Sequence, residues 1–150
     1  MFQKLIQTPD DRAAVILRWT LAIVMFPHAA QKVLGWFGGS GLSGTLDFFT
    51  SSMGLPTVLA LLVIFAEFLG SLGLAFGLLT RVAAFGILSV MLGAVFMVHL
   101  PNGFFMNWYG DQKGEGFEYH LLAIGIALFL MVRGGGALSV DRVLSSRRPE

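Results

Sequence analysis

The segment Leu55–Leu79, LPTVLALLVIFAEFLGSLGLAFGLL, is long enough to cross a bilayer and contains one charge, Glu67. A bilayer core is about 30 Å thick and takes roughly 20 apolar residues of helix to span. In hydrocarbon every backbone N–H and C=O must bond within the protein, so such a segment has to be helical. A lone carboxyl inside it is costly to bury and needs a partner, a proton or a task. The rest of the chain supplies candidates for all three.

Three more apolar segments accompany it. The four spans are set at about 13–34, 56–79, 82–100 and 117–132. Of 150 residues, 55% are hydrophobic and 13% charged, about half the charge of a typical soluble domain. The predicted fold is an all-α integral membrane protein: one domain over residues 1–150, built as a four-transmembrane-helix bundle, with a tail from 137 to 150. A net charge of +1 gives no footprint for nucleic acid. The chain has no cysteine, which excludes a CxxC disulfide exchanger, a thiolate metal site, an iron–sulfur cluster and covalent c-type haem. The first apolar segment contains Arg18 and runs on to His28, Gln31 and Lys32 instead of a small-residue cleavage site, so it reads as a retained helix.

Local signals mark the helix ends. Thr8-Pro9-Asp10-Asp11 offers a cap before the first helix. Pro56 can open the second. Thr80-Arg81 is a joint short enough to force an antiparallel hairpin. Pro101 follows the third helix, and Gly134-Gly135-Gly136 ends the fourth. Eight of the ten Lys and Arg residues (Lys4, Arg12, Arg18, Arg81, Arg133, Arg142, Arg147, Arg148) fall on one side, against Lys32 and Lys113 on the other. The positive-inside rule then places both termini in the cytoplasm. Segment 34–55 holds a flexible Trp36–Gly41 turn and a short interfacial helix over Leu42–Met53, with Leu46, Phe48 and Phe49 touching lipid. Segment 101–116 is strongly aromatic, suiting a headgroup belt or a cover over a pocket. Ser139 caps a short helix, Val140–Leu144, and Arg147-Arg148 is expected to be solvated or to touch anionic lipid. Ala66, Gly70, Gly73 and Gly77 on the second helix, with Gly86, Ser89, Gly93 and Ala94 on the third, allow close helix packing. That packing is expected within one bundle, the alternative being a homo-oligomer face.

Depth brings the polar residues together. At 1.5 Å per residue, Glu67 lies roughly 16 Å below Pro56, and His28 lies about 15 Å above Arg18. Lys32 is one turn beyond His28 and shares its face. His99 ends the third helix, and Glu118 and His120 begin the fourth, all on the outer side. Arg18, in the opposite half, is expected to snorkel outward. Pro27 is expected to kink the first helix beside His28. Glu118 and His120 are two residues apart, so one faces inward; Glu118 is assigned inward and His120 to the interface. Two uses of the cluster stay open: a structural ion pair of Glu67 with Lys32 or His28, or a binding site.

The ordered set Arg18; His28-Ala29-Ala30-Gln31-Lys32-Val33; Gly54-Leu55-Pro56; Ala66-Glu67 with its glycine-rich continuation to Arg81; Asn102-Gly103-Phe104-Phe105; Gly116-Phe117-Glu118; and Leu138-Ser139-Val140-Asp141 resembles the DoxX family of small bacterial four-helix membrane proteins. Ala29-Ala30 departs from the glycine that often follows the histidine in relatives. The resemblance implies the fold, and a link to thiosulfate:quinone oxidoreductases, to quinone or catechol stress, or to redox-protein complexes.

The leading expectation is an oxidoreductase component that handles a quinone or similar aromatic molecule in an outward-facing pocket. Glu67 and His28 would act on protons, histidine being the side chain that titrates near neutrality. Lys32, His99, Glu118, Phe104 and Trp108 would bind the substrate, with Phe37, Phe105 and Tyr109 also available to stack on a ring. No resident cofactor and no metal are assigned. The alternative is a non-catalytic anchor or assembly partner for a redox-enzyme subunit. Two further readings are a zinc or iron site from His28, His99 and His120 with the glutamates, and a small-solute transporter.

Overall fold

The computed structural model describes residues 2–146; the expectation for Arg147-Arg148 lies outside the described residues. Seven α-helices follow in chain order: α1 (Phe2–Ile6), α2 (Arg12–Leu34), α3 (Gly41–Asp47), α4 (Thr57–Phe76), α5 (Thr80–Ala94), α6 (Glu118–Arg133) and α7 (Val140–Ser146). No β-strand occurs among the described residues. A wider π-type turn, Val95–His99, and a 3-10 turn, Leu100–Asn102, prolong α5. Three helical runs are long and apolar enough to cross a membrane: Arg12–Leu34, Thr57–Phe76 and Thr80–Asn102. At 16 residues α6 is shorter.

The long helices form a ring in which α2 packs on α4 and α6, and α5 packs on α4 and α6. Leu21, Met25, Leu74, Ile87, Ala127 and Leu130 fill its centre. The outer faces are equally apolar: Ile16, Ile23, Leu62, Leu69, Phe85 and Leu122 are all exposed. Water would penalise that surface, whereas lipid tails accept it. Pro27 does not interrupt α2, which runs on to the left-handed cap at Gly35.

One end of the ring carries both described termini and the α4–α5 joint. Here Arg18 overturns the snorkelling expectation, being fully buried. Its guanidinium donates to the carbonyls of Leu74 (2.5 Å), Ala75 (2.8 Å), Gly135 (3.1 Å) and Leu138 (3.0 Å). The last carbonyls of a helix have no intrahelical donor, and none comes from water in a bilayer. Arg18 supplies it for α4 and for the turn after α6. A planar fork with five N–H groups suits four acceptors in a way an ammonium does not.

The other helix ends here are closed by similar means. Asp141, also buried, accepts from the Leu79 and Thr80 amides at 2.7 and 2.8 Å, placing a carboxylate on the positive end of α5. Arg81 donates to the carbonyls of Met131, Val132 and Gln7. Ser139 accepts from Arg142 N at 3.2 Å and caps α7 as expected. Asp11 accepts from Ala13 N and Ala14 N at the start of α2 and pairs with Arg133. Gly77, at φ 66°, has no room for a side chain: a Cβ would sit 2.4 Å from Ser139 Cβ.

Two predictions follow from this end. Arg18→Met strands the carbonyls of Gly135 and Leu138, each worth roughly 1–3 kcal/mol when left unpaired, and takes one donor from those of Leu74 and Ala75, which keep Gly77 N and Trp19 Nε1. Its unfolding free energy in mild detergent is expected to fall by about 3 kcal/mol or more, with Arg18→Lys recovering less than half. A loss below about 1 kcal/mol would mean the carbonyls find other donors. The Arg133 hydrogen bond holds the Asp11 carboxyl below its usual 3.8. A lowered folded-state pKa adds stability above the unfolded value, lost as pH falls through the folded one. Thermal midpoints measured from pH 6 down to 2.5 should therefore decline more steeply for the native chain than for Asp11→Asn.

Candidate functional site

At the other end the helices enclose a cavity of about 500 Å³. Helical spacing puts Met25, His28 and Lys32 of α2 on one face toward it, and Val63 and Glu67 of α4 on another. Ser89, Val90, Gly93 and Met97 come from α5 and its extension, and Tyr119 and His120 from α6. The turn after α3 adds Phe48 and Phe49, and the aromatic loop adds Met106 and Glu115.

Glu67 has its partner: Lys32 Nζ lies 2.8 Å from Glu67 Oε1. The carboxylate side chain is 3% exposed and the lysine 28%. Lys32 Nζ also lies 3.4 Å from the His28 carbonyl, so the cation is held back along its own helix. An ammonium has three donors, and its exposure leaves it able to serve a further acceptor in the cavity.

All three histidines of the chain line this space. The rings of His99 and His120 stand 4.1 Å apart, centroid to centroid. His99 Nδ1 lies 2.9 Å from the Glu115 carbonyl. A carbonyl only accepts, so Nδ1 carries the proton of that bond. His120 is 6% exposed and its Nδ1 has no hydrogen-bond partner. Buried polar atoms are nearly always paired, so an orphan of this kind calls for an explanation. Among the described residues, no three His, Asp or Glu side chains come close enough to hold a metal ion together.

The expected orientation of the α6 pair is reversed. His120 faces the cavity, and Glu118 turns to the loop, accepting from Met106 N at 3.0 Å and Trp108 Nε1 at 3.2 Å. Glu118 thus clasps the aromatic loop, whose backbone folds on itself through Phe117 N to Gly103 O and Glu118 N to Phe104 O. Gly116 lies inside that fold, where a Cβ would be 2.3 Å from the Phe105 carbonyl oxygen. Phe104 and Trp108 do not line the cavity. Phe104 packs edge-on against Phe105 and Phe117, and Trp108 is 78% exposed. Phe37, Phe105 and Tyr109 are likewise exposed and outside the lining.

Sequence reasoning missed several lining groups. Phe48 and Phe49 had been assigned to lipid, and both reach the cavity from the turn after α3. Tyr119, beside His120, places its hydroxyl 3.5 Å from Met25 Sδ. Five of the seven methionines, Met25, Met53, Met91, Met97 and Met106, form much of the wall. Unbranched thioethers adapt to ligands of irregular shape. The signal for α6 was present in the sequence: Ala123, Ala127 and Leu130 mark its buried face, and His120 extends that stripe by three residues.

The family model for DoxX matches residues 13–100, from the first turns of α2 past His99. "Inner membrane protein YqjF" of Escherichia coli is 33% identical over 113 residues, covering 75% of this chain and 82% of that protein. "Putative oxidoreductase CatD" of Bacillus subtilis is 31% identical over 127 residues, covering 85% and 83%. No solved structure gives a significant match.

Breaking a buried ion pair from one side leaves an uncompensated charge, at a cost of about 3–5 kcal/mol. Lys32→Met should therefore destabilise the protein by roughly 3 kcal/mol, and Glu67→Gln by clearly less. The double variant Lys32→Met/Glu67→Leu should return to within about 1 kcal/mol of the native chain. Strictly additive losses in that cycle would show that the two side chains do not act as a pair.

Proposed function

The chain belongs to the DoxX family, and from that premise we propose that it is a membrane oxidoreductase component that takes a quinone or similar aromatic small molecule into its cavity. In this reading α6 is the fourth span, and both termini face the cytoplasm of a bacterial inner membrane, with the cavity in the outer half of the bundle. The eight-to-two division of Lys and Arg supports that orientation. The relative named as an inner membrane protein supports the location.

The observation that carries the proposal is the joining of an ion pair and two facing histidines to an apolar, methionine-rich wall around one space of about 500 Å³. Ligand sites are commonly of this size, mostly apolar with a few convergent polar groups. A quinone carries two carbonyl acceptors on a flat apolar ring. Lys32 and His28 donate to one carbonyl, and His120, as its Nδ1–H tautomer, serves the other. Lys32 does so without leaving Glu67, because an ammonium has donors to spare. Converting the two carbonyls to hydroxyls takes two electrons and two protons: a separate electron donor supplies the electrons, and Glu67 with His28 forms the route for the protons. Phe48, Phe49 and Tyr119 flank the ring. Glu118, Phe104 and Trp108 shape the loop beside the cavity instead of touching the ligand. The relative named as an oxidoreductase is in keeping with this chemistry.

A second reading makes the chain a non-catalytic anchor or assembly partner, the electrons being handled by another redox subunit. The absence of cysteine favours it, since the chain has no thiol to carry electrons. Co-purification distinguishes the two: a stoichiometric partner with a cofactor spectrum supports the anchor, and turnover by the isolated chain supports the enzyme.

Glu67→Gln and His28→Ala are each expected to weaken binding of a short-chain quinone at least tenfold, or about 1.4 kcal/mol, by calorimetry in detergent. If both variants bind and turn over quinone as the native chain does, the proposal fails.

A further inference from the structure

We propose that the cavity opens sideways into the bilayer between α4 and α5, and that its ligand is lipid-dissolved, with a polar aromatic head inside and an alkyl or isoprenoid chain in the opening. The head-group part rests on the function proposed above; the opening itself rests on the geometry of the α4–α5 hairpin.

Near their joint these two helices are as close as backbones allow. A Cβ on Gly73 would be 3.1 Å from Ala83 Cβ, and one on Gly70 would be 3.1 Å from Ile87 Cδ1 and 3.3 Å from the Ala83 carbonyl oxygen. Gly86 comes next, its Cβ position 3.5 Å from Ala66 Cβ. Seven residues on, Gly93 points the same way, because a heptad turns a helix back to within about 20° of its starting face. A Cβ on Gly93 would meet nothing within 4 Å. Between Gly86 and Gly93, therefore, α5 parts from α4.

The parted stretch is a wall of the cavity. Ser89, Gly93 and Met97 on one side and Val63 and Leu55 on the other all line it. Ser89 and Met97 are also exposed. Lining side chains that stay exposed mark a stretch of wall that nothing covers. Ser89 lies about 14 Å and Met97 about 25 Å along the run from Thr80, inside the roughly 30 Å of hydrocarbon that such a run crosses. The opening thus meets acyl chains from the midplane outward. Glycine in a helix interior is less stable than alanine there. At Gly70 and Gly73 close packing offsets that cost, whereas at Gly93 what the missing side chain leaves is room. A hydrocarbon chain suits a slot walled by Met97, Val63 and Leu55, whose apolar side chains give water no hydrogen-bond partners.

The test uses the full chain in nanodiscs. Gly93→Trp is expected to weaken binding of a long-tailed quinone at least tenfold and to change binding of a tail-less head-group analogue less than twofold. Leu92→Trp, one residue away, lines no cavity and is expected to change neither. Equal weakening of both ligands by Gly93→Trp, or no weakening of either, overturns the proposal. A second measurement needs no quinone. The chain has no cysteine, so Gly93→Cys can carry a single fluorophore. Lipids brominated at mid-chain are expected to quench it strongly. Reaction of Gly93→Cys with a membrane-impermeant thiol reagent would show an opening to water. Disulfide formation between two copies would show a self-interface. Either result overturns the port. Failure of quinone to bind the native chain, with quenching intact, would instead reject the assigned head group and leave the opening standing.

Discussion

The bundle depends on one guanidinium. In water a helix can leave its last carbonyls to the solvent; in a bilayer it cannot. Arg18 gathers the carbonyls of Leu74, Ala75, Gly135 and Leu138, while Asp141 closes the facing start of α5. These two buried charges make no salt bridge with each other among the described residues; each is satisfied by backbone. They fix where α4 ends, where α5 begins and how the segment after α6 crosses beneath both. Positive φ at Gly77, Leu79 and Leu138 is held in place by those bonds.

Rigidity at one end permits openness at the other. With the hairpin pinned at its joint and glycine-packed as far as Gly86, the far ends of α4 and α5 need not touch. The space between them and α2 and α6 keeps one strong polar contact, Lys32 to Glu67, and histidines whose hydrogen-bonding capacity is only partly used. The same pair ties α2 to α4 and lines the cavity. Lock and site were set as alternatives by the sequence; the ion pair that locks the two helices is also part of the cavity wall.

Much of this was legible before any coordinates. Segment length and hydropathy located the long helices, and counting rise per residue placed Glu67, His28 and Lys32 at neighbouring depths. The errors share a physical origin: each rule used concerned one helix at a time. An arginine six residues into α2 snorkels if nothing lies beneath it, but a turn of the chain from residues 135–138 does. Two residues on α6 must face apart, yet only the neighbouring helices decide which faces in, and a loop amide at Met106 claimed Glu118. Phe104 and Trp108 were grouped with the cavity by composition, whereas loop pairing with Phe117 and Glu118 turns them away. The stretch at Phe48 and Phe49 was read as lipid-facing because the cavity that both rings reach is made by helices distant in sequence.

The Arg18 contacts also set an order of events during synthesis. The donor is made early, and two of its four acceptors, at Gly135 and Leu138, are separated from it by 117 and 120 residues. While the chain is being threaded into the membrane, α2 therefore carries a charge with only half of its partners made. Final docking of α2 must wait until the stretch beyond α6 emerges and folds back. That stretch crosses nothing, yet it decides when the rest becomes a closed bundle, so a ribosome that stalls before residue 135 leaves a chain with its spans made and its keystone unset.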